Sequence, residues 1–76
     1  MTLADQFREE GLQKGRQEGL QKGLQDGILE ALQIRFGQIP EGLAEAIRQV
    51  LEEAHLRTLH RAAIQADSIE NFAKNL

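Results

Sequence analysis

The sequence predicts an all-α protein, with a long glycine-repeat helix followed by a small bundle of two or three short helices, assembled as an oligomer. Three observations lead to this prediction. Glycine recurs at every fourth position from Gly11 to Gly27, among residues that, Asp apart, are good helix formers. Apolar residues after Pro40 follow the three- and four-residue spacing of amphipathic helices. With 76 residues and no cysteine, the chain cannot be stapled by disulfides, so oligomerisation remains as the support for a small core.

The first helix is expected over about residues 3–36. Thr2 or Asp5 can begin it, because their side chains accept hydrogen bonds from free N–H groups of the first turn. Gly37 can end it in the left-handed conformation. Residues 1–36 are therefore assigned to one long oligomerisation helix with a GxxxG-type repeat.

Two octads within this helix, residues 11–18 and 19–26, differ at only two pairs of positions, 16/24 and 18/26. An apolar row follows the glycines one residue later, with Arg16 as its one polar member. Because four residues advance a helix by about 400°, each row is expected to drift slowly around the axis. The predicted oligomer interface comprises Gly11, Leu12, Gly15, Gly19, Leu20, Gly23, Leu24, Gly27 and Ile28.

Five glycines inside a helix each cost about 1 kcal/mol relative to alanine. Close approach of a second helix can offset this cost, and rows at i, i+4 favour a strongly crossed pairing. The alternative is a flexible linker whose repeat arose by slippage of a short coding unit. The leucine row favours the paired helix, because a solvated linker has no need of it.

A break is expected at residues 37–40, followed by a C-terminal bundle at 41–76. Its first helix is predicted at about 41–54 and its second at about 56–66, although the two could form one bent helix. Its last helix is expected at about 68–75.

The start of that last helix carries a capping signal. Asp67 as N-cap, with Glu70 three residues later, matches a capping box.

Residues suited to catalysis or to metal binding are not arranged for either. His55 and His60 are five residues apart, whereas zinc ligands on one helix are spaced by three or four. No nucleophile stands beside a base, and a core this small offers little burial to shift the pKa of a carboxylate. We therefore expect no enzyme activity, no metal and no cofactor.

A weaker candidate site consists of Arg48, Arg57, His60 and Arg61, which could contact DNA or an acidic partner. The net charge of −3 argues against general phosphate binding, so a solvated charged face is the default interpretation. The N-terminal residues lack the pattern of a secretory signal, and no apolar run reaches membrane-spanning length. The lack of cysteine fits a reducing compartment, so the expected location is the cytoplasm.

Several motifs together resemble one protein family. They are the leader Met1–Phe7, the tandem E-G-x-x-K-G-x-x-E-G, the R-F-G-x-I-P break at Arg35–Pro40 and the A-D-S-I-E ending within Ala66–Leu76. This pattern resembles the C-terminal region of the Rpn, or recombination-promoting nuclease, transposase-like proteins of the PD-(D/E)XK superfamily. The resemblance covers essentially this whole chain, but only about the last quarter of a typical member.

The family's nuclease motif, an Asp and a Glu-x-Lys on a strand pair, has no counterpart here, so no catalytic residue carries over. The resemblance implies a tail that oligomerises a DNA-cleaving protein. In this family the tail can also be made separately from an internal start and act as an antitoxin of the nuclease in phage defence. The position of Met1 ahead of the repeat suits such a start, and it suits a trimmed expression product nearly as well.

The resulting expectation is a homodimer that binds and inhibits the full-length nuclease of its own gene. One alternative is a passive oligomerisation tail that leaves nuclease activity unchanged. Another is a DNA-binding module that uses the four basic positions named above.

Overall fold

The computed structural model describes residues 3–76, with side chains from Arg8 onward. Thr2 and the side chain of Asp5, the predicted helix starts, lie outside this part. Four helices follow one another: α1 (Leu3–Phe36), α2 (Glu41–Arg48), α3 (Glu53–Gln65) and α4 (Ile69–Ala73). No strand occurs in residues 3–76, so the predicted all-α class, with a long helix followed by short ones, is confirmed.

The molecule is elongated because α1 runs along its whole length. The principal-axis extents are 53 × 19 × 17 Å, and the 34 residues of α1 span about 51 Å at about 1.5 Å per residue. The short helices pack beside the C-terminal half of α1, where α3 makes the main contact.

A small apolar core lies between that half of α1 and the three short helices. Each of the four helices contributes at least one fully buried side chain: Ile28 and Leu32 from α1, Ile47 from α2, Leu56, Leu59 and Ala63 from α3, and Phe72 from α4. Burial of such side chains is the main force that holds α2–α4 against α1.

The apolar row of α1 enters this core and leaves it again. Ile28 and Leu32 are fully buried, whereas Leu24 and Phe36 at the two sides are partly buried. Each four-residue step exceeds a full turn by about 40°, so Leu12, four steps before Ile28, lies about 160° away from it. The expected slow drift therefore carries the row to the other side of the helix over four steps.

The break between α1 and α2 follows the sequence. Gly37 has a φ of +82°, and its N–H donates to the Gln33 carbonyl at 2.8 Å, so the predicted left-handed stop is confirmed. Pro40 precedes α2, and its carbonyl accepts from the N–H groups of Leu43 and Ala44, both at 3.0 Å.

The segment between α2 and α3 differs from the prediction. Helix α2 ends at Arg48 rather than near residue 54, and α3 begins at Glu53. Residues 49–52, here named the α2–α3 turn, connect the two helices, and Leu51 in this turn is 59% exposed. Side chains of α1 stabilise this early end by binding carbonyls at and beyond Arg48, as described below.

Helix α4 is also shorter than predicted, and its cap is different. The Oγ of Ser68 accepts a hydrogen bond from the N–H of Asn71 at 3.1 Å. The N-cap is thus Ser68, and the predicted Asp67 cap is wrong. The two neighbouring residues are both good capping types, and Ser68 has the extended backbone of a cap.

Candidate association surface

The N-terminal part of α1 extends beyond the bundle. Every residue from Arg8 to Leu20, here named the free half of α1, is exposed. Two of its side chains are large and apolar: Leu12 is 57% exposed and Leu20 is 41% exposed. An isolated helix of this length is marginal in water, so the free half is a surface that a partner would stabilise.

The glycines of the repeat have no steric role within their own chain. A Cβ added at Gly11, Gly15, Gly19, Gly23 or Gly27 would meet no atom within 4 Å. The fold of the single chain therefore leaves room for alanine at these positions, and each alanine would favour the helix by about 1 kcal/mol. Close approach of a second helix is a role that would require glycine there.

The residues predicted as an oligomer interface divide into three groups. The exposed group is Gly11, Leu12, Gly15, Gly19, Leu20 and Gly23. Leu24 and Gly27 are half-buried, and Leu24 packs against the core. Ile28 is fully buried in the core of its own chain, so its side chain has no surface left for a partner.

Two glutamines of the repeat have a role that the sequence did not reveal. Nε2 of Gln25 donates to the carbonyl oxygens of Val50 at 2.8 Å and Arg48 at 3.3 Å. Nε2 of Gln21 donates to the carbonyl oxygen of Leu51 at 2.8 Å. These bonds satisfy backbone acceptors where α2 ends, a place where helices leave carbonyls unpaired. The recurrence of glutamine beside the apolar row was the sequence signal that could have indicated this role.

The basic candidates on α2 and α3 are only partly available. Nε and Nη2 of Arg57 donate to a carboxylate oxygen of Glu53 at 3.0 and 2.8 Å, so this charge is partly neutralised. His60 is half-buried, whereas Arg48 and Arg61 are exposed. The i, i+3 and i+4 spacing places Arg57, His60 and Arg61 on one face of α3. This arrangement gives little support to a DNA-binding face.

A shallow groove of about 420 Å³ lies beside α3 and α4. Ala62 and Ala66 line it together with polar and charged side chains, Arg61 and Asp67 among them. Within the described residues, no three His, Cys, Asp or Glu side chains are grouped so that they could hold a metal ion.

His55 instead joins the start of α3 to the C-terminus. Its Nε2 lies 3.1 Å from the carbonyl oxygen of Asn75. Because a carbonyl only accepts, this nitrogen carries the proton and donates.

Among the helices of residues 3–76, none combines the length and the apolarity that a membrane crossing requires. No family model, curated protein or solved structure matches this chain.

Proposed function

We propose that this chain is a non-catalytic association domain that binds a second chain with the same glycine repeat. The observation that carries the proposal is the free half of α1, a continuous exposed helix with both a leucine row and a glycine row. Within the free half the residues of both rows are exposed, and a partner helix would cover both. A homodimer is the simplest such assembly, because one surface then serves both chains.

The spacing of the repeat favours a crossed pairing. Rows at i, i+4 form ridges inclined to the helix axis, and two such ridges pack at a crossing angle of about −50°. Because each step adds about 40°, a crossing brings two or three neighbouring glycines together rather than all five. Leu20 and Gly23 share a face by their i, i+3 spacing, so an aliphatic side chain lies beside this close approach.

The sequence motifs extend the proposal to a larger partner. Arg35–Pro40 and Ala66–Leu76 resemble the tail of the Rpn nucleases, which carry the same repeat at their C-terminal end. A short chain that pairs with this tail would occupy the pairing surface of the nuclease without supplying a second active site. We propose that it acts in this way as an intragenic antitoxin in the cytoplasm. The passive tail is the competing proposal.

The first experiment measures self-association of the purified chain by sedimentation velocity. The wild type is expected to form a dimer. Alanine at both Gly19 and Gly23 should increase the helicity of the monomer, because nothing in the chain obstructs the new methyl groups. It should also weaken the dimer by about tenfold or more, about 1.4 kcal/mol, because the methyl groups hold the helices apart.

Gly42→Ala is the matched control, because Gly42 lies in α2 and its added Cβ also meets nothing within 4 Å. It should leave association unchanged. A wild-type chain that stays monomeric across the accessible concentration range would refute the association domain.

The second experiment titrates DNA cleavage by the full-length nuclease with this chain. Loss of cleavage near stoichiometric addition, and its retention with the Gly19/Gly23 variant, would support the antitoxin. Mixed oligomers with undiminished cleavage would establish the passive tail instead.

A further inference from the structure

One face of α1 binds the α2–α3 turn and the core of its own chain. Gln21 and Gln25 donate to carbonyls there, while Leu24, Ile28 and Leu32 supply the apolar contact. The five positions follow the spacing i, i+3, i+4, i+7 and i+11, which places them on one side of a helix. We name these five residues the docking face.

The same residue pattern begins eight residues earlier, about 12 Å along the helix and rotated by about 80° around its axis. The corresponding residues in the free half, here named the repeated face, are Gln13, Arg16, Gln17 and Leu20. Both glutamines recur, Leu20 corresponds to Ile28, and the one change of type is arginine in place of Leu24. Gln13, Arg16 and Gln17 are exposed, as is 41% of Leu20.

We propose that the repeated face binds the α2–α3 turn of a second copy of this chain. The turn carries the acceptors that the docking face already binds, and a carbonyl oxygen has two lone pairs, so it can accept a second donor. Leu51 of the turn is 59% exposed, and it would bury its side chain against Leu20. The inference rests on the proposed function and specifies which surfaces of the two copies meet.

Charge complementarity explains why arginine occurs in the repeated face. Glu52 follows Leu51 and is exposed, without a side-chain cap bond at the start of α3. Glu53 already binds Arg57 at 2.8 Å, which leaves Glu52 as the carboxylate for a partner's Arg16. In the docking face the same position holds Leu24, which packs on the core.

The contact requires an antiparallel pair. In a parallel, in-register pair the partner's turn lies level with Gln21 and Gln25 rather than with the repeated face. An antiparallel pair with its two-fold axis level with Gly19 places Gln17 of each copy level with Gln21 of the other. It likewise places Gln13 level with Gln25, and it places Gly15 of each copy level with Gly23 of the other, on either side of Gly19. Both copies then make the same contact, as a two-fold interface demands.

Cysteine pairing tests this arrangement, because the chain has no cysteine of its own. Arg16→Cys and Glu52→Cys are oxidised separately and as a mixture. The mixture should give a disulfide-linked heterodimer, and neither variant alone should, because a disulfide needs Cα atoms about 4.4–6.8 Å apart. Self-linked Arg16→Cys without the mixed product would indicate a parallel pair and overturn the inference.

Sedimentation velocity supplies an independent readout. Alanine at both Gln13 and Gln17 should raise the dimer dissociation constant about tenfold or more, because two donors are lost at each of two contacts. Alanine at both Gln33 and Gln38, which are exposed elsewhere, is the matched control and should change it by less than about twofold. Arg16→Glu should also weaken the dimer, and adding Glu52→Arg should restore it.

The possible failures are distinguishable. A monomeric wild type overturns both this inference and the proposed function. The inference alone is overturned if the wild type dimerises, the Gln13/Gln17 variant has the same dissociation constant, and the 16–52 disulfide does not form.

Discussion

The two halves of α1 share one apolar row and have opposite environments. In the half that contacts the bundle, the apolar row is covered, and Ile28 and Leu32 are fully buried. In the free half, the same row places Leu12 and Leu20 in solvent, at 57% and 41% exposure. Both halves are helical, but the half beside α2–α4 is also the more apolar in sequence, because Leu29, Ala31 and Ile34 add to its apolar row.

The comparison shows that residues of the repeat contact the rest of the chain where α2, α3 and the turn between them lie beside α1. Where the surface is used within the chain, leucines pack and glutamines bind carbonyls. Where it is free, the same residue types have no partner in their own bundle. Substitutions at equivalent positions of the two halves therefore measure what the intrachain contact contributes. The stabilities of the two variants in each pair should be compared at a dilution where the chain is monomeric.

The largest expected difference is between Leu32→Ala and Leu12→Ala. Leu32 is fully buried, so its truncation loses apolar contact and leaves a cavity, at a cost of about 2–5 kcal/mol. A core in a chain of this size supplies only about 3–5 kcal/mol in total, so the bundle should be largely unfolded. Leu12→Ala should change the unfolding free energy by less than about 0.5 kcal/mol.

Thermal unfolding followed by circular dichroism separates the two variants. Equal loss of stability from both substitutions would mean that the free half is packed within the monomer, contrary to its exposure.

An intermediate difference is expected between Gln25→Ala and Gln17→Ala. Gln25 is 9% exposed and donates to two carbonyls, so its removal should cost about 1–3 kcal/mol. Urea unfolding measures this loss directly. Gln17→Ala should leave the monomer within about 0.5 kcal/mol of the wild type. If Gln25→Ala proved equally neutral, water would be an adequate donor for the Val50 and Arg48 carbonyls.

The features that sequence predicted best are those set by local rules. The extent of α1 and its stop at Gly37 depend on helix propensity and on one left-handed residue. The end of α2 could not be read in this way, because Gln21 and Gln25 bind carbonyls about 25–30 residues further along the chain. A side-chain donor from another helix is a tertiary effect that competes with the local tendency to continue α2.

The assignment of interface residues was limited by the same kind of competition. The apolar row runs through both halves with Arg16 as its one polar member, and sequence alone did not indicate which part of the row the short helices would cover. Ile28 was therefore assigned to a partner although the core of its own chain buries it. Counting the drift of about 40° per step would have separated Ile28 from Leu12, since the two lie on opposite sides of a straight helix.

The smallest effects are expected for two glycines, one in the left-handed conformation and one inside an ordinary helix. Gly37 has a φ of +82°, where an L-residue costs about 1–2 kcal/mol, so Gly37→Ala should lower the melting temperature. Gly15 lies in an ordinary helix with nothing within 4 Å of an added Cβ, so Gly15→Ala should increase helicity and favour the helix by about 1 kcal/mol. Circular dichroism measures both variants. A Gly15→Ala chain that loses helicity when monomeric would show that this glycine is required by its own fold, and the case for a partner at the repeat would lose its steric argument.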